Sequence, residues 1–141
     1  MKDDFIVTID TLVYGGSGMS RLPDGKAVFI PFVLPGEVVK VRIIEEQPGF
    51  ARAGLIEVQQ PSINRIKSPC KHFGFCGGCH YQHIPYELQV DYKKQILTEQ
   101  LQRLGRVEKL TMIETLKSKS EWNYRNSIQF HLSPQGKMGY E

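Results

Sequence analysis

Apolar and polar side chains alternate, or apolar ones gather in short β-branched runs, through roughly the first 60 residues. Phe5, Val7 and Ile9 alternate with Ile6, Thr8 and Asp10, and the run continues through Leu12-Val13-Tyr14. Gly15-Gly16-Ser17-Gly18 reads as a turn, because consecutive glycines tolerate the positive φ that a tight reversal demands. Ala27-Val28-Phe29-Ile30 follows the Pro23-Asp24-Gly25 turn as a second strand, and Val38 to Ile44 follows Pro35-Gly36 as a third. Leu55-Ile56-Glu57-Val58 closes the set. Four or five short strands bury too little as an open sheet, so the pattern predicts a small closed or partly closed barrel of the OB type.

The period then changes. Gln59-Gln60-Pro61-Ser62 reads as a linker, and residues 68–83, rich in Gly, His and aromatics, show neither a strand nor a helix period. Tyr86, Val90, Lys93, Leu97, Leu101 and Leu104 step by three or four, placing five apolar groups and one lysine stem on a single helical stripe. Pro85 suits the first turn and Gly105 the C-cap, so the spacing predicts a helix over 85–104. Beyond it, Ile128, Phe130 and Leu132 alternate with polar groups, and Pro134-Gln135-Gly136 turns the chain into Lys137-Met138-Gly139-Tyr140. A hairpin whose second strand ends with the chain has an unpaired edge, from which a longer parent protein is expected. The predicted class is mainly β with one helix (α+β). Its units are a barrel over 1–60, a linker and cysteine-rich segment over 61–84, and a helix with the start of a β-rich domain over 85–141.

Composition narrows the class. The chain has 141 residues, is 40% hydrophobic and 23% charged, and carries net charge +3. No apolar run approaches the ~18 residues of a membrane span, and the acidic start Met1-Lys2-Asp3-Asp4 has no signal-peptide character. A soluble, cytoplasmic monomer is expected. Residues 1–66 hold 7 Lys/Arg against 8 Asp/Glu, whereas residues 67–141 hold 11 against 7, so the second part is the basic one. Attraction to nucleic-acid phosphate would come mainly from it, and the first part would contribute stacking, local patches or shape.

The three cysteines all fall within Cys70-x5-Cys76-Gly77-Gly78-Cys79. An odd, clustered set excludes a disulfide framework spread over the chain. Three thiols within ten residues suit one soft metal centre, and the paired glycines let backbone N–H groups turn toward sulfur. An iron–sulfur cluster needs four ligands, so one is missing. A Cys3His zinc site is the alternative, with His72, His80 and His83 close by, although its ligands usually come as two short-spaced pairs. Three free buried thiols are the bland reading.

Ser68-Pro69-Cys70-Lys71-His72-Phe73-Gly74-Phe75-Cys76-Gly77-Gly78-Cys79-His80-Tyr81-Gln82-His83, continuing to Gln89 and Lys93-Lys94, resembles the cluster-binding segment of the RNA uracil-5-methyltransferase family. Leu12 to Gly18, Val28-Phe29-Ile30-Pro31 and Leu34-Pro35-Gly36-Glu37 resemble the TRAM domain, the small RNA-binding barrel that begins many of those enzymes. Trp122-Asn123-Tyr124-Arg125-Asn126 resembles the start of their central domain. The resemblance implies a [4Fe-4S] cluster held by Cys70, Cys76 and Cys79 with a fourth cysteine downstream. It also implies methyl transfer from S-adenosylmethionine in a further domain of the full-length enzyme, where a cysteine attacks uracil C6. This chain holds no catalytic residue under that reading, since its three thiols belong to the metal motif and no βαβ unit is present. The implied partner is structured RNA, ribosomal rather than transfer RNA.

Candidate RNA contacts are Tyr14, Arg21, Phe29 and Arg52 on the barrel, with Phe32 beside them, then Lys93 and Lys94 on the helix and Arg125 beyond it. Each has a plainer reading. Phe29 lies in a β-branched run and is expected in the core, the helix lysines are expected on a solvated face, and Arg125 could sit at an exposed edge. The glycine run lacks the GxGxxG spacing and a following helix, so it reads as a turn rather than a phosphate loop. The histidines are expected to be structural, with His83 placed to donate toward cluster sulfur.

Overall fold

A computed structural model describes residues 4–110 and 114–140. Its first part is one six-stranded sheet made of β1 (Asp4–Thr8), β2 (Thr11–Leu12), β3 (Ser17–Arg21), β4 (Ala27–Pro31), β5 (Val38–Gln47) and β6 (Phe50–Gln60), in the order β1-β5-β6-β4-β3-β2. The two end strands are consecutive lengths of one bent strand. Asp10 N–H still donates to Met19 O at 2.9 Å across the bend, so the sheet curls round until β1 on one side and β2 on the other belong to the same run of chain. The pairings are antiparallel except β4 with β6, and register shifts along β5 and β6 add the bending that such curvature requires. This is the curled, OB-like architecture expected from the alternation.

The alternation decides what fills it. Val7, Val28, Ile30, Val39, Val41, Ala51 and Ala53 point inward and are buried with Ile9, Leu22 and Val33. Their neighbours Phe29, Arg52 and Lys40 point outward. Phe29 is therefore not core: Val28 and Ile30 take the inner face, and Phe29 falls on the outer one by the two-residue period.

Two boundaries move. The turn occupies Tyr14 to Gly16, with Gly15 at φ 91° and Gly16 at φ 87°, while Ser17 and Gly18 already belong to β3. That strand, Ser-Gly-Met-Ser-Arg, carries too little apolar pattern to be read from sequence. Gly18 faces the core, where a Cβ would stand 2.4 Å from Val33 Cγ2 and 2.9 Å from Ile9 Cγ2. Gly18→Ala is expected to cost about 1–3 kcal/mol by overpacking, seen as a lowered melting temperature with the native fold retained.

A second, smaller core attaches the rest. Leu12 and Leu34 of the barrel meet Ile84 and Ile96, with Tyr81, Leu88 and Tyr92 packed around them. The helix α1 runs Tyr86–Arg103, with Pro85 at its N-cap. Its buried face is carried by Leu88, Tyr92 and Ile96 together with Val90, whereas Leu97 and Leu104 of the predicted stripe are exposed. Both stripes follow helical spacing of three or four residues, so spacing alone could not choose between them. Leu104 is the C-cap, and the left-handed residue after it is Arg106 at φ 52° rather than Gly105. Gly105 is required for another reason, since a Cβ there would lie 2.7 Å from Leu101 O.

Residues 114–140 are mostly exposed. The expected hairpin is reduced to β7 (His131–Leu132) and β8 (Met138–Gly139), and Ile128, Phe130 and Leu132 all face solvent. The segment is tied back at two places. Lys117 pairs with Glu87 while Ser118 N–H donates to Tyr86 Oη, and the Tyr140 ring lies 3.3 Å from where a Cβ on Gly78 would stand. Among the described residues no helix is long and apolar enough to cross a membrane.

Candidate nucleic-acid interface and cysteine segment

Strands β3, β4 and β6 lie side by side, and their outward residues form one surface. Met19 stands opposite Phe29, and Phe29 opposite Arg52. Arg21 pairs with Ala27, and Ala27 with Phe50, so the register brings Arg21 and Phe50 to the same face. The Phe29 and Phe50 rings meet edge to face at 5.9 Å. Three sequence candidates, Arg21, Phe29 and Arg52, are thus gathered on one wall with Met19 and Phe50. The sequence reading missed Met19 and Phe50. The signal was available in the period of two, once the β3 and β6 boundaries were placed.

The cations of this wall are already engaged. Arg52 Nε lies 3.7 Å from Glu45, Arg21 donates to Gly25 O at 2.9 Å, and neighbouring Lys26 pairs with Glu46. The surface is aromatic and close to neutral, suited to the π-faces of bases more than to a run of phosphates.

Below the barrel, a buried carboxylate joins it to the cysteine segment. Glu37 is 0% exposed. Arg65 donates to both its oxygens, at 2.6 and 2.7 Å, and Leu34 N–H and Ser62 N–H donate at 2.8 and 3.1 Å. Burial pushes the Glu37 carboxyl up, but the Arg65 guanidinium and the two N–H groups outweigh it and hold it below the ordinary value. Arg65 also donates to Phe32 O at 2.8 Å. Phe32 sits at φ 63°, an uncommon place for a bulky residue, and its ring packs on Phe73 at 5.0 Å. Phe73 in turn packs on His83 at 5.6 Å. Buried His83 donates from Nε2 to Val33 O at 3.1 Å, which leaves Nδ1 unprotonated and, among the described residues, without a partner. Burial pushes its pKa down. His83 is therefore committed to the barrel, a role that the sequence did not indicate.

The cysteine segment is a chain of tight turns. Phe73 N–H donates to Cys70 O, and Phe75 and Cys76 N–H both donate to His72 O. Gly78 N–H donates to Cys76 Sγ at 3.4 Å, as the paired glycines suggested. Cys70 and Cys76 are half-buried and Cys79 is exposed. Three thiols and an N–H aimed at one sulfur are the donor chemistry of a soft metal centre. Among the described residues, however, no three His, Cys, Asp or Glu side chains converge as metal donors, and none of His72, His80 or His83 completes a Cys3His set.

The remaining candidates lie apart. Tyr14 is 81% exposed at the tip of the glycine turn. A Cβ on Gly16 would stand 2.8 Å from His80 Cβ, so that turn rests against the cysteine segment. Lys93 lies over Tyr81, 5.6 Å from the ring centroid, and Arg125 lies 5.7 Å from its neighbour Tyr124. Lys94 lies on another part of α1, near Asp91.

Residues 5–56 match the TRAM domain. An RNA methyltransferase of Aquifex aeolicus, described as uncharacterized, is 40% identical over 141 residues, covering 99% of this chain and 33% of that protein. The chain contains a TRAM domain and aligns along nearly its whole length with part of proteins named RNA methyltransferases. The 23S rRNA (uracil(1939)-C(5))-methyltransferase RlmD of Francisella tularensis subsp. holarctica is 37% identical over 138 residues, 95% of this chain and 30% of the relative. The chain spans about a third of the length of these curated relatives. A solution structure of a conserved protein from Methanococcus maripaludis is 33% identical, covers 39% of this chain and 77% of that one, and gives a TM-score of 0.36. The TRAM match spans β1 through most of β6, and so includes the whole Met19, Phe29, Phe50, Arg52 wall.

Proposed function

We propose that this chain is the N-terminal, RNA-docking portion of an S-adenosylmethionine-dependent uracil-5-methyltransferase acting on 23S ribosomal RNA. The observation that carries the reading is the aromatic outer wall of the TRAM barrel, with Phe29 and Phe50 edge to face beside Arg21 and Arg52. Half-buried rings on an outer strand face, flanked by guanidinium groups, are one means by which a small barrel holds unpaired bases. The name of the Francisella relative, a 23S rRNA uracil-C5 methyltransferase, supports ribosomal rather than transfer RNA as the substrate class.

Under this reading the chain docks RNA and leaves methyl transfer to a further domain. Cys70, Cys76 and Cys79, which do not converge as metal donors in this structure, would supply three thiolates to a [4Fe-4S] cluster completed by a fourth ligand downstream, and the cluster would serve as a structural clasp for the segment. Anaerobically purified protein is expected to be brown, with iron and sulfide bound; colourless protein with stoichiometric zinc would contradict the cluster.

The direct test is binding of the chain to tiled 23S rRNA fragments, transfer RNA and a plain duplex at several matched salt concentrations. At least one ribosomal fragment is expected to bind more tightly than the others, with no methylated product when S-adenosylmethionine is added. Equal, wholly salt-driven binding to all three, or methylated uridine formed by the chain alone, contradicts the proposal.

A further inference from the structure

Phe75 is the most exposed aromatic ring among the described residues, at 95%. It is held out by built structure. Its own N–H and that of Cys76 both donate to His72 O, at 3.1 and 3.0 Å, and Phe73 and Cys76 bridge as a minimal β-pair across it. Gly74, at φ 95°, makes the reversal. Phe73 behind it is anchored between Phe32 and His83. The result is a short finger whose root is fixed to the barrel and whose tip is an unpartnered phenyl ring.

The charge of this stretch of sequence has one sign. No Asp or Glu occurs between Glu57 and Glu87, whereas Lys67, Lys71 and the exposed His72 and His80 all fall in that stretch with Arg65. Arg65 is consumed by Glu37, but neither Lys67 nor Lys71 makes an ion pair among the described residues. Beside the aromatic wall, Arg52 and Lys26 are ion-paired with Glu45 and Glu46, whereas Lys67 and Lys71 of the cysteine segment have no such partner among the described residues. An isolated apolar ring in a stretch of chain that also carries uncompensated ammonium groups suits one unpaired base between phosphates.

We infer that the 71–76 turn is a second RNA contact, in which Phe75 stacks on an unpaired base while Lys71 and Lys67 meet the flanking phosphates. The inference rests on the RNA-docking reading above and adds a site to it. It also divides the work: the barrel wall holds bases with little salt dependence, and the finger supplies the electrostatic part.

The test uses the 141-residue chain and two fluorescent RNAs of equal length, a hairpin with a long unpaired loop and a blunt duplex, titrated by anisotropy at several salt concentrations. Phe75→Ala is expected to weaken loop binding by about 5- to 100-fold and to leave the duplex unchanged. Phe75→Leu should weaken it similarly, since it keeps apolar bulk but loses the flat face, and Phe75→Trp should retain it. Lys71→Ala should flatten the salt slope by about 0.7. The exposed position predicts unchanged melting temperatures for all four.

Loop affinity of Phe75→Ala and Phe75→Leu within twofold of the parent overturns the inference, as does an equal loss on both RNAs. Phe75-dependent binding to phosphatidylserine vesicles with RNA affinity untouched overturns it in favour of a membrane contact. A parent chain that binds neither RNA contradicts the docking function itself, whereas a parent that binds and a silent Phe75→Ala contradicts only the finger.

Discussion

Arg65→Met is expected to destabilise the chain by about 3–5 kcal/mol, because it leaves the buried Glu37 carboxylate without its cation. Leu34 and Ser62 N–H groups remain, but two neutral donors do not offset the loss of a charge on a group with no exposure. The sign of the pH dependence separates this mechanism from a general packing loss. In the parent, the Glu37 pKa lies below its ordinary 4.5, so its stabilisation is complete above that value and is lost as pH falls through the depressed folded value. In the variant burial acts without Arg65, the folded pKa rises above 4.5, and the destabilisation is relieved as pH falls through that raised value toward 4.5. His83, held neutral by burial, weakens both proteins as pH drops below its ordinary 6.5, so the comparison is the difference between their curves. Chemical denaturation of both proteins from pH 7 to pH 4.5 measures it. A difference that stays constant across this range contradicts the buried-charge account.

The second large effect falls on RNA affinity. Phe29→Ala combined with Phe50→Ala is expected to weaken RNA binding roughly 100-fold or more, at about 1–3 kcal/mol for each stacked base. Both rings are on the outer face, and Val28, Ile30 and Ala51 behind them keep the core filled, so the variant should still fold. Arg52→Gln should cost much less and barely change the salt slope, because its guanidinium already has Glu45 as a partner. Anisotropy titrations at two salt concentrations distinguish these outcomes. A steep salt response of Arg52→Gln, with a silent double phenylalanine variant, would place recognition on charge instead of stacking.

The barrel was legible because β4 and β5 alternate cleanly and Gly and Pro mark their ends. The strand Ser17–Arg21 was not, since two of its inward positions are Gly18 and Ser20, the latter donating to Thr8 O at 2.6 Å and filling space without an apolar signal. Phe29 shows the limit of composition. A phenylalanine between Val28 and Ile30 looks like core, yet the strand period sends it to the opposite face. The helix was legible in existence and at buried Val90, but Leu97 and Leu104 of the predicted stripe face solvent, because Leu88-Tyr92-Ile96 follows helical spacing equally well and only the position of Leu12 and Leu34 chooses between them. The joint was invisible for a different reason. Glu37, Arg65 and His83 are far apart in sequence, each has an ordinary surface reading, and nothing local says that one carboxylate will be enclosed. The cysteine motif was legible as donor chemistry, while the convergence of its donors was not something that spacing could supply.

The central claim is that the outer wall of β3, β4 and β6 touches RNA. Ultraviolet crosslinking of the chain to a bound 23S rRNA fragment, followed by mass spectrometry of the nucleotide-bearing peptides, tests it most directly. The account predicts crosslinked peptides containing Phe29 and Phe50, lost on competition with unlabelled fragment. Crosslinks confined to residues 114–140 or to α1, with none on those two strands, would contradict it.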